Sequence, residues 1–105
     1  MLLDECLPRP LIRDLPGHDV TTVQRQGWAG TGNGALLRLV AAAGFEAFLA
    51  VDKGIEFQQK VSALPFGVVA LRAPSNDVDD LRPLMPEALA ALPALRPGQL
   101  VRVPG

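Results

Sequence analysis

The chain has 105 residues, 49% of them hydrophobic and 20% charged. That composition suits one compact domain spanning 1–105, leaves no room for two, and excludes a disordered tail protein. Ten Lys and Arg against 11 Asp and Glu give a formal charge of -1, so no overall field recruits nucleic acid or acidic membrane, and any RNA contact must come from a local patch. A single cysteine, Cys6, allows neither an internal disulfide nor a cysteine metal cage, and without a signal segment the chain reads as cytoplasmic. The longest greasy stretch, residues 36–51, is interrupted by Arg38, Gly44 and Glu46 and falls short of the ~20 apolar residues of a membrane helix. Buried sheet and a homodimer interface account better for the hydrophobicity.

In chain order, Met1-Leu2-Leu3 reads as a short strand ending at Asp4-Glu5, and residues 8–15 as a short helix that starts at a proline. Pro16-Gly17 ends it. Residues 18–23 (HDVTTV) are β-branched and strand-like, and a polar, glycine-rich loop covers 24–32. Asn33 suits the N-cap of a helix over 34–43, with Gly44 at its C-terminal end. Residues 47–51 (AFLAV) read as a fully buried strand followed directly by Asp52, and a short helical segment covers about 54–61. Residues 67–71 (GVVAL) form a second continuous apolar run of the kind parallel sheets use. Asn76 or Asp77 caps a last helix over about 78–92, in which Pro83 and Pro86 limit the first turns or kink it, and 99–103 is the closing strand.

Strands and helices alternate throughout, which predicts a three-layer α/β/α domain with a five-stranded, mainly parallel sheet and right-handed crossovers. The commonest order for such a sheet, 2-1-3-4-5, sets strands 1 and 3 side by side at the switch point where ligands bind beyond the carboxyl ends. Asp4 and Glu5 end strand 1, and Asp52 ends strand 3, so these acids converge in one crevice. Carboxylates gathered there repel one another unless a cation intervenes, and hard oxygen ligands favour Mg²⁺ or Mn²⁺ over zinc. The plainer alternative is that the three acids are ordinary polar strand ends that cap the next helices.

Around that crevice, Lys53, Arg9, Arg13 and Arg25 supply a basic rim able to position a phosphate backbone, or else a solvated surface. Trp28 serves either to stack on an unpaired base or, as is commoner, to anchor its loop. The run Gly30-Thr31-Gly32-Asn33-Gly34 lacks the placement of a dinucleotide loop and the lysine of a P-loop, so it reads as a turn and helix cap. His18 lies at the opposite end of the sheet from Cys6, which removes Cys–His nucleophilic chemistry and histidine-based zinc chemistry.

The phrases LLDECLPRPL, GHDVTTVQRQGWAGTGNGALLRL, AVDKGIEFQQ and VVALRAPSNDVDDLRPLMPEALAAL resemble, in order and spacing over almost the whole chain, the short PIN-like domains related to PIN toxins. The resemblance implies a PIN-like fold with an acidic metal site and Mg²⁺-dependent RNA cleavage, often as the toxin half of a toxin–antitoxin pair. Carried over by position, Asp4, Glu5 and Asp52 are the catalytic, metal-holding acids, and Glu56 is an outer acid of the same site. Lys53, Arg9 and Arg25 are the nucleic-acid contacts. Active relatives commonly have an acid at the start of the central helix, and Asn33-Gly34-Ala35 provides none. That departure opens a second reading, a noncatalytic module that binds an antitoxin or its own copy. A receiver-type phosphoacceptor domain is a third, but it needs a hydroxyl residue ending strand 4 and a lysine after strand 5, where this chain has Leu71-Arg72 and Arg102.

Overall fold

The computed structural model describes residues 1–52 and 60–105. Five parallel strands, β1 (Leu2–Leu3), β2 (Thr21–Thr22), β3 (Ala47–Val51), β4 (Gly67–Leu71) and β5 (Leu100–Val103), form one sheet in the order β2-β1-β3-β4-β5. The radius of gyration is 12.3 Å. Among the described residues no helix is long and apolar enough to cross a membrane.

Strand alternation divides the core in two. Leu2, Phe48, Ala50 and Val68 face one side, where Leu36, Leu37 and Val40 of helix α1 (Asn33–Ala42) cover them. Leu3, Leu49, Val69, Leu71 and Val103 face the other, under Leu11 and the C-terminal helices. β4 is buried along its whole length, which is why it reads as an unbroken apolar run.

Proline and glycine explain where the local structure departs from simple helical expectations. The short helix expected over residues 8–15 is a 3-10 helix (Arg9–Asp14) that buries Leu11, its bonds closing from Leu11 to the Pro8 carbonyl and from Leu15 to that of Ile12. A proline-bearing stretch this short suits the tighter i→i+3 pattern. The strand expected over 18–23 is reduced to Thr21–Thr22 at the sheet edge, a length that limits edge-to-edge pairing. α1 begins at Asn33 after an extended Gly32, and Gly44 just beyond it takes φ +79°, the left-handed position where glycine costs least. The helix expected over 54–61 lies mostly outside the described residues; Lys60 and Val61 are helical.

The last helix is segmented rather than continuous. Helix α2 (Val78–Leu81) passes into a 3-10 turn (Arg82–Leu84), helix α3 (Met85–Ala91) and a second 3-10 turn (Leu92–Ala94). Pro83, Pro86 and Pro93 each fall in the opening positions of a new segment, where a missing N–H breaks no bond. Of the two candidate caps Asp77 is the one used, its side chain accepting from the Asp79 N–H at 3.1 Å. Asp77→Ala is expected to cost about 1 kcal/mol, read as a fall in the urea midpoint at unchanged slope.

Gly67, the first residue of β4, is required by close approach. A Cβ built there would meet the Leu95 side chain and lie 2.7 Å from the Arg96 carbonyl oxygen. The turn into β5 therefore packs directly on the backbone of β4.

Candidate functional site at the carboxyl ends of the strands

Asp4 and Asp52 extend the ladder past the ends of their strands. The Asp4 N–H donates to the Leu49 carbonyl at 2.9 Å and the Asp52 N–H to that of Leu71 at 3.0 Å. Because Leu3 pairs with Leu49, Asp4 stands beside Ala50, and Asp52 lies two residues further along β3. Alternation sends both side chains to the α1 face, since Leu2, Ala50 and Phe48 point there. With ~3.3 Å per residue along a strand and ~4.8 Å between strands, the two Cα atoms are about 8 Å apart. Strand order and register thus set Asp4 and Asp52 at the tips of the adjacent strands β1 and β3.

The two carboxylates have different surroundings. Asp4 is 2% exposed and sits at the rim of the core. Asp52, with its side chain 18% exposed, accepts at Oδ2 from Arg72 Nε at 3.2 Å and from Arg102 Nε at 3.1 Å. Register explains how Arg102 reaches it. Arg102 on β5 pairs with Ala70, and Ala70 pairs with Ala50, so the row across this face reads Asp4, Ala50, Ala70, Arg102. Two alanines leave a lane low enough for a guanidinium to lie across β4 and meet Asp52. Arg72 follows β4 directly, and its N–H donates to the Val103 carbonyl at 2.6 Å, which ties its backbone to β5.

Glu5 is directed elsewhere. Its carboxylate accepts from the Gly30 N–H, at 3.1 Å to Oε1 and 3.3 Å to Oε2, and its carbonyl accepts from Gln24 Nε2 at 3.0 Å. Glu5 therefore fastens the 24–32 loop to the tip of β1. Trp28 fastens the other side of that loop, its N–H donating to the Val23 carbonyl at 3.0 Å and its ring packing edge-on against Phe45 at 6.3 Å and 87°. This is the anchoring role foreseen for it.

Arg9 and Arg25 line a cavity of about 480 Å³ beside β2 together with Leu7, Ile12, Thr21 and Thr22. Leu7 and Ile12 belong to the second core cluster, so this cavity opens on the face opposite Ala50 and Arg102. The structure does not bring these two arginines into the Asp4–Asp52 crevice. Lys53 and Glu56 lie outside the described residues. Cys6 is exposed, and His18 borders a cavity at the amino end of the sheet with Met1 and Glu46, remote from it.

Among the described residues no group of three or more His, Cys, Asp or Glu side chains is gathered for a metal. The hard carboxylate oxygens of Asp4 and Asp52 suit Mg²⁺ or Mn²⁺ in kind, and an ion there competes with two guanidinium groups for Asp52. Sequence reasoning placed the acids but assigned no site role to Arg72 and Arg102. The available signal was a basic residue directly after an apolar strand and another at alternating register within the closing strand.

Comparison with family models, with curated proteins and with solved structures gives no match.

Proposed function

We propose that this chain is a PIN-like endoribonuclease that uses Mg²⁺ or Mn²⁺ held by Asp4 and Asp52 at the β1/β3 crevice. One observation supports this reading above all: the β1–β3 register, which sets both carboxylates at neighbouring strand tips on one face. A divalent ion there would supply a water of lowered pKa and offset charge on the phosphate oxygens. Asp4 contributes a rigid carboxylate, because burial against the core restricts its rotamers. Glu5 keeps the 24–32 loop against the tip of β1 through Gly30. In this reading the partners are RNA and an antitoxin protein, and the site of action is the cytoplasm.

The test is cleavage of an end-labelled single-stranded RNA by the purified chain with Mn²⁺, Mg²⁺ or EDTA, alongside calorimetric titration of Mn²⁺ into the protein. Cleavage with either ion and none in EDTA, together with saturable binding, is the expected result. No cleavage with either ion overturns it.

A second reading, the noncatalytic interaction module, is favoured by one specific observation: the Asp52 carboxylate is already neutralised by Arg72 and Arg102. For that reading the same experiment gives no cleavage, and the chain co-purifies with a defined partner or with its own copy.

A further inference from the structure

We propose that the cavity between the 3-10 helix Arg9–Asp14 and the edge strand β2 binds a small organic anion, its carboxylate or phosphate head held by Arg9 and Arg25 and its apolar body lying on Ile12 and Val20. The site goes beyond the nuclease reading and does not depend on it, because the cavity opens on the face of the sheet opposite Ala50 and Arg102.

Size and lining are the first argument. The cavity measures about 480 Å³, within the range of roughly 300–1,000 Å³ typical of small-molecule sites. Leu7 and Thr22 are buried at its floor, while Ile12 and Val20 pack against the second core cluster yet stay only half-buried. The surface they leave uncovered lines the cavity, so an apolar body that covers it is removed from water together with them.

Charge is the second argument. Two arginines line the cavity and no acidic side chain does. Among the described residues neither guanidinium has a hydrogen bond or an ion pair, and both residues are exposed. The acids close to Arg9 in sequence are engaged elsewhere: the Glu5 carboxylate accepts from the Gly30 N–H, and Asp14 from Arg82 Nε at 3.0 Å. Each planar fork is therefore open to two oxygens of one carboxylate or phosphate.

The backbones that carry these arginines are tied down although the guanidinium groups are free. The Arg25 N–H donates to Thr22 Oγ1 at 3.1 Å and the Gln26 N–H to the Thr22 carbonyl at 3.1 Å. On the other wall, the Leu7 N–H donates to the Asp4 carbonyl at 3.0 Å and the Leu11 N–H to that of Pro8 at 3.1 Å. Binding thus orders two side chains and no main chain, which limits its entropic cost.

The lining also says what the ligand is not. No aromatic side chain lines the cavity to stack a base, and Trp28 packs on Phe45 in the first core cluster, so a nucleic-acid strand is a poor match. β2 is two residues long, too short an edge to accept an added peptide strand. The lining holds no His, Cys, Lys or carboxylate, and both Thr hydroxyls already accept hydrogen bonds, Thr21 from Gln26 and Thr22 from Arg25. The ligand is bound and not transformed.

The experiment is titration calorimetry of octanoate, octyl phosphate, 1-octanol and inorganic phosphate into the full chain. At least one of the two octyl anions should bind saturably at a single site, and the tighter of them identifies the head. Octanol, which lacks the charge, and inorganic phosphate, which lacks the apolar body, should each bind at least about tenfold more weakly than that anion. Arg9→Gln and Arg25→Gln should each weaken it about tenfold. Val20→Thr keeps the side-chain shape and makes the wall polar, for an expected loss of about threefold. Arg13→Gln, the same charge change on the same 3-10 helix but outside the cavity, should change nothing. Exposed arginines without an ion pair contribute little to stability, so these variants should melt with the parent chain.

The site is overturned if neither octyl anion binds saturably, if the Arg9 and Arg25 variants bind as the parent chain does, or if octanol or inorganic phosphate binds as tightly as the octyl anions. A short oligouridine that binds more tightly than both octyl anions, and through the same two arginines, overturns it in favour of a nucleic-acid surface.

Discussion

Asp52→Asn is expected to lower Mn²⁺-dependent RNA cleavage by about 100-fold or more, the largest change in activity foreseen for a single substitution in this chain. The replacement is nearly isosteric and keeps an amide oxygen that can still accept from Arg72 and Arg102, which now contact the carboxylate at 3.2 and 3.1 Å. What it removes is the negative charge, and with it the means of holding a divalent cation beside Asp4. The fold should tolerate the change. The Arg72 side chain is 53% exposed, so water can solvate its guanidinium once the ion pair is lost, and partly exposed pairs contribute little to stability. Cleavage rates with Mn²⁺ and melting temperatures, measured on the same preparation, separate the two effects. A variant that cuts RNA at the parent rate shows that Asp52 is not a metal ligand and removes the basis of the hydrolytic reading.

Phe48→Ala should lower unfolding free energy by about 3–5 kcal/mol, against a total of about 5–15 kcal/mol for a domain of this size. Phe48 is 1% exposed in β3, the central strand of the sheet, paired with Leu2 on β1 and Val68 on β4, and its ring meets that of Phe66 edge-on at 6.4 Å and 88°. Truncation removes the transfer energy of the ring, opens a cavity under α1, and deletes an aromatic pair worth about 1 kcal/mol. The neighbours cannot collapse to fill the space, because the strands on both sides are fixed by ladder bonds. Urea unfolding followed by the fluorescence of Trp28, which packs on the same cluster, checks the value. A loss under about 1 kcal/mol would mean that this face is loosely packed and that the register-based placement of Asp4 and Asp52 is not rigid.

Some of these relations were already present in one dimension. The apolar runs 47–51 and 67–71 match β3 and β4 residue for residue, because strands buried on both faces carry no polar interruption. Regular alternation of strand and helix implied the 2-1-3-4-5 order, and that order alone makes neighbours of the tips that carry Asp4 and Asp52. Asn76 and Asp77 were both recognisable as cap candidates because a short side-chain acceptor ahead of an amphipathic segment satisfies an otherwise unpaired N–H, and the structure uses Asp77. The single helix foreseen over 78–92 is instead four short segments, since several prolines, each harmless alone, together leave too few uninterrupted i→i+4 bonds for one rod.

Local sequence thus determined which segments are strands, their parallel arrangement and the order that makes β1 and β3 neighbours, because burial pattern and connection handedness act over short stretches. Tertiary structure alone decided what those aspartates touch. Arg102 reaches Asp52 from 50 positions away, and Glu5 turns to Gly30 from 25 away. Both contacts depend on pairing register, and a shift of one residue would send the Arg102 side chain to the opposite face of the sheet.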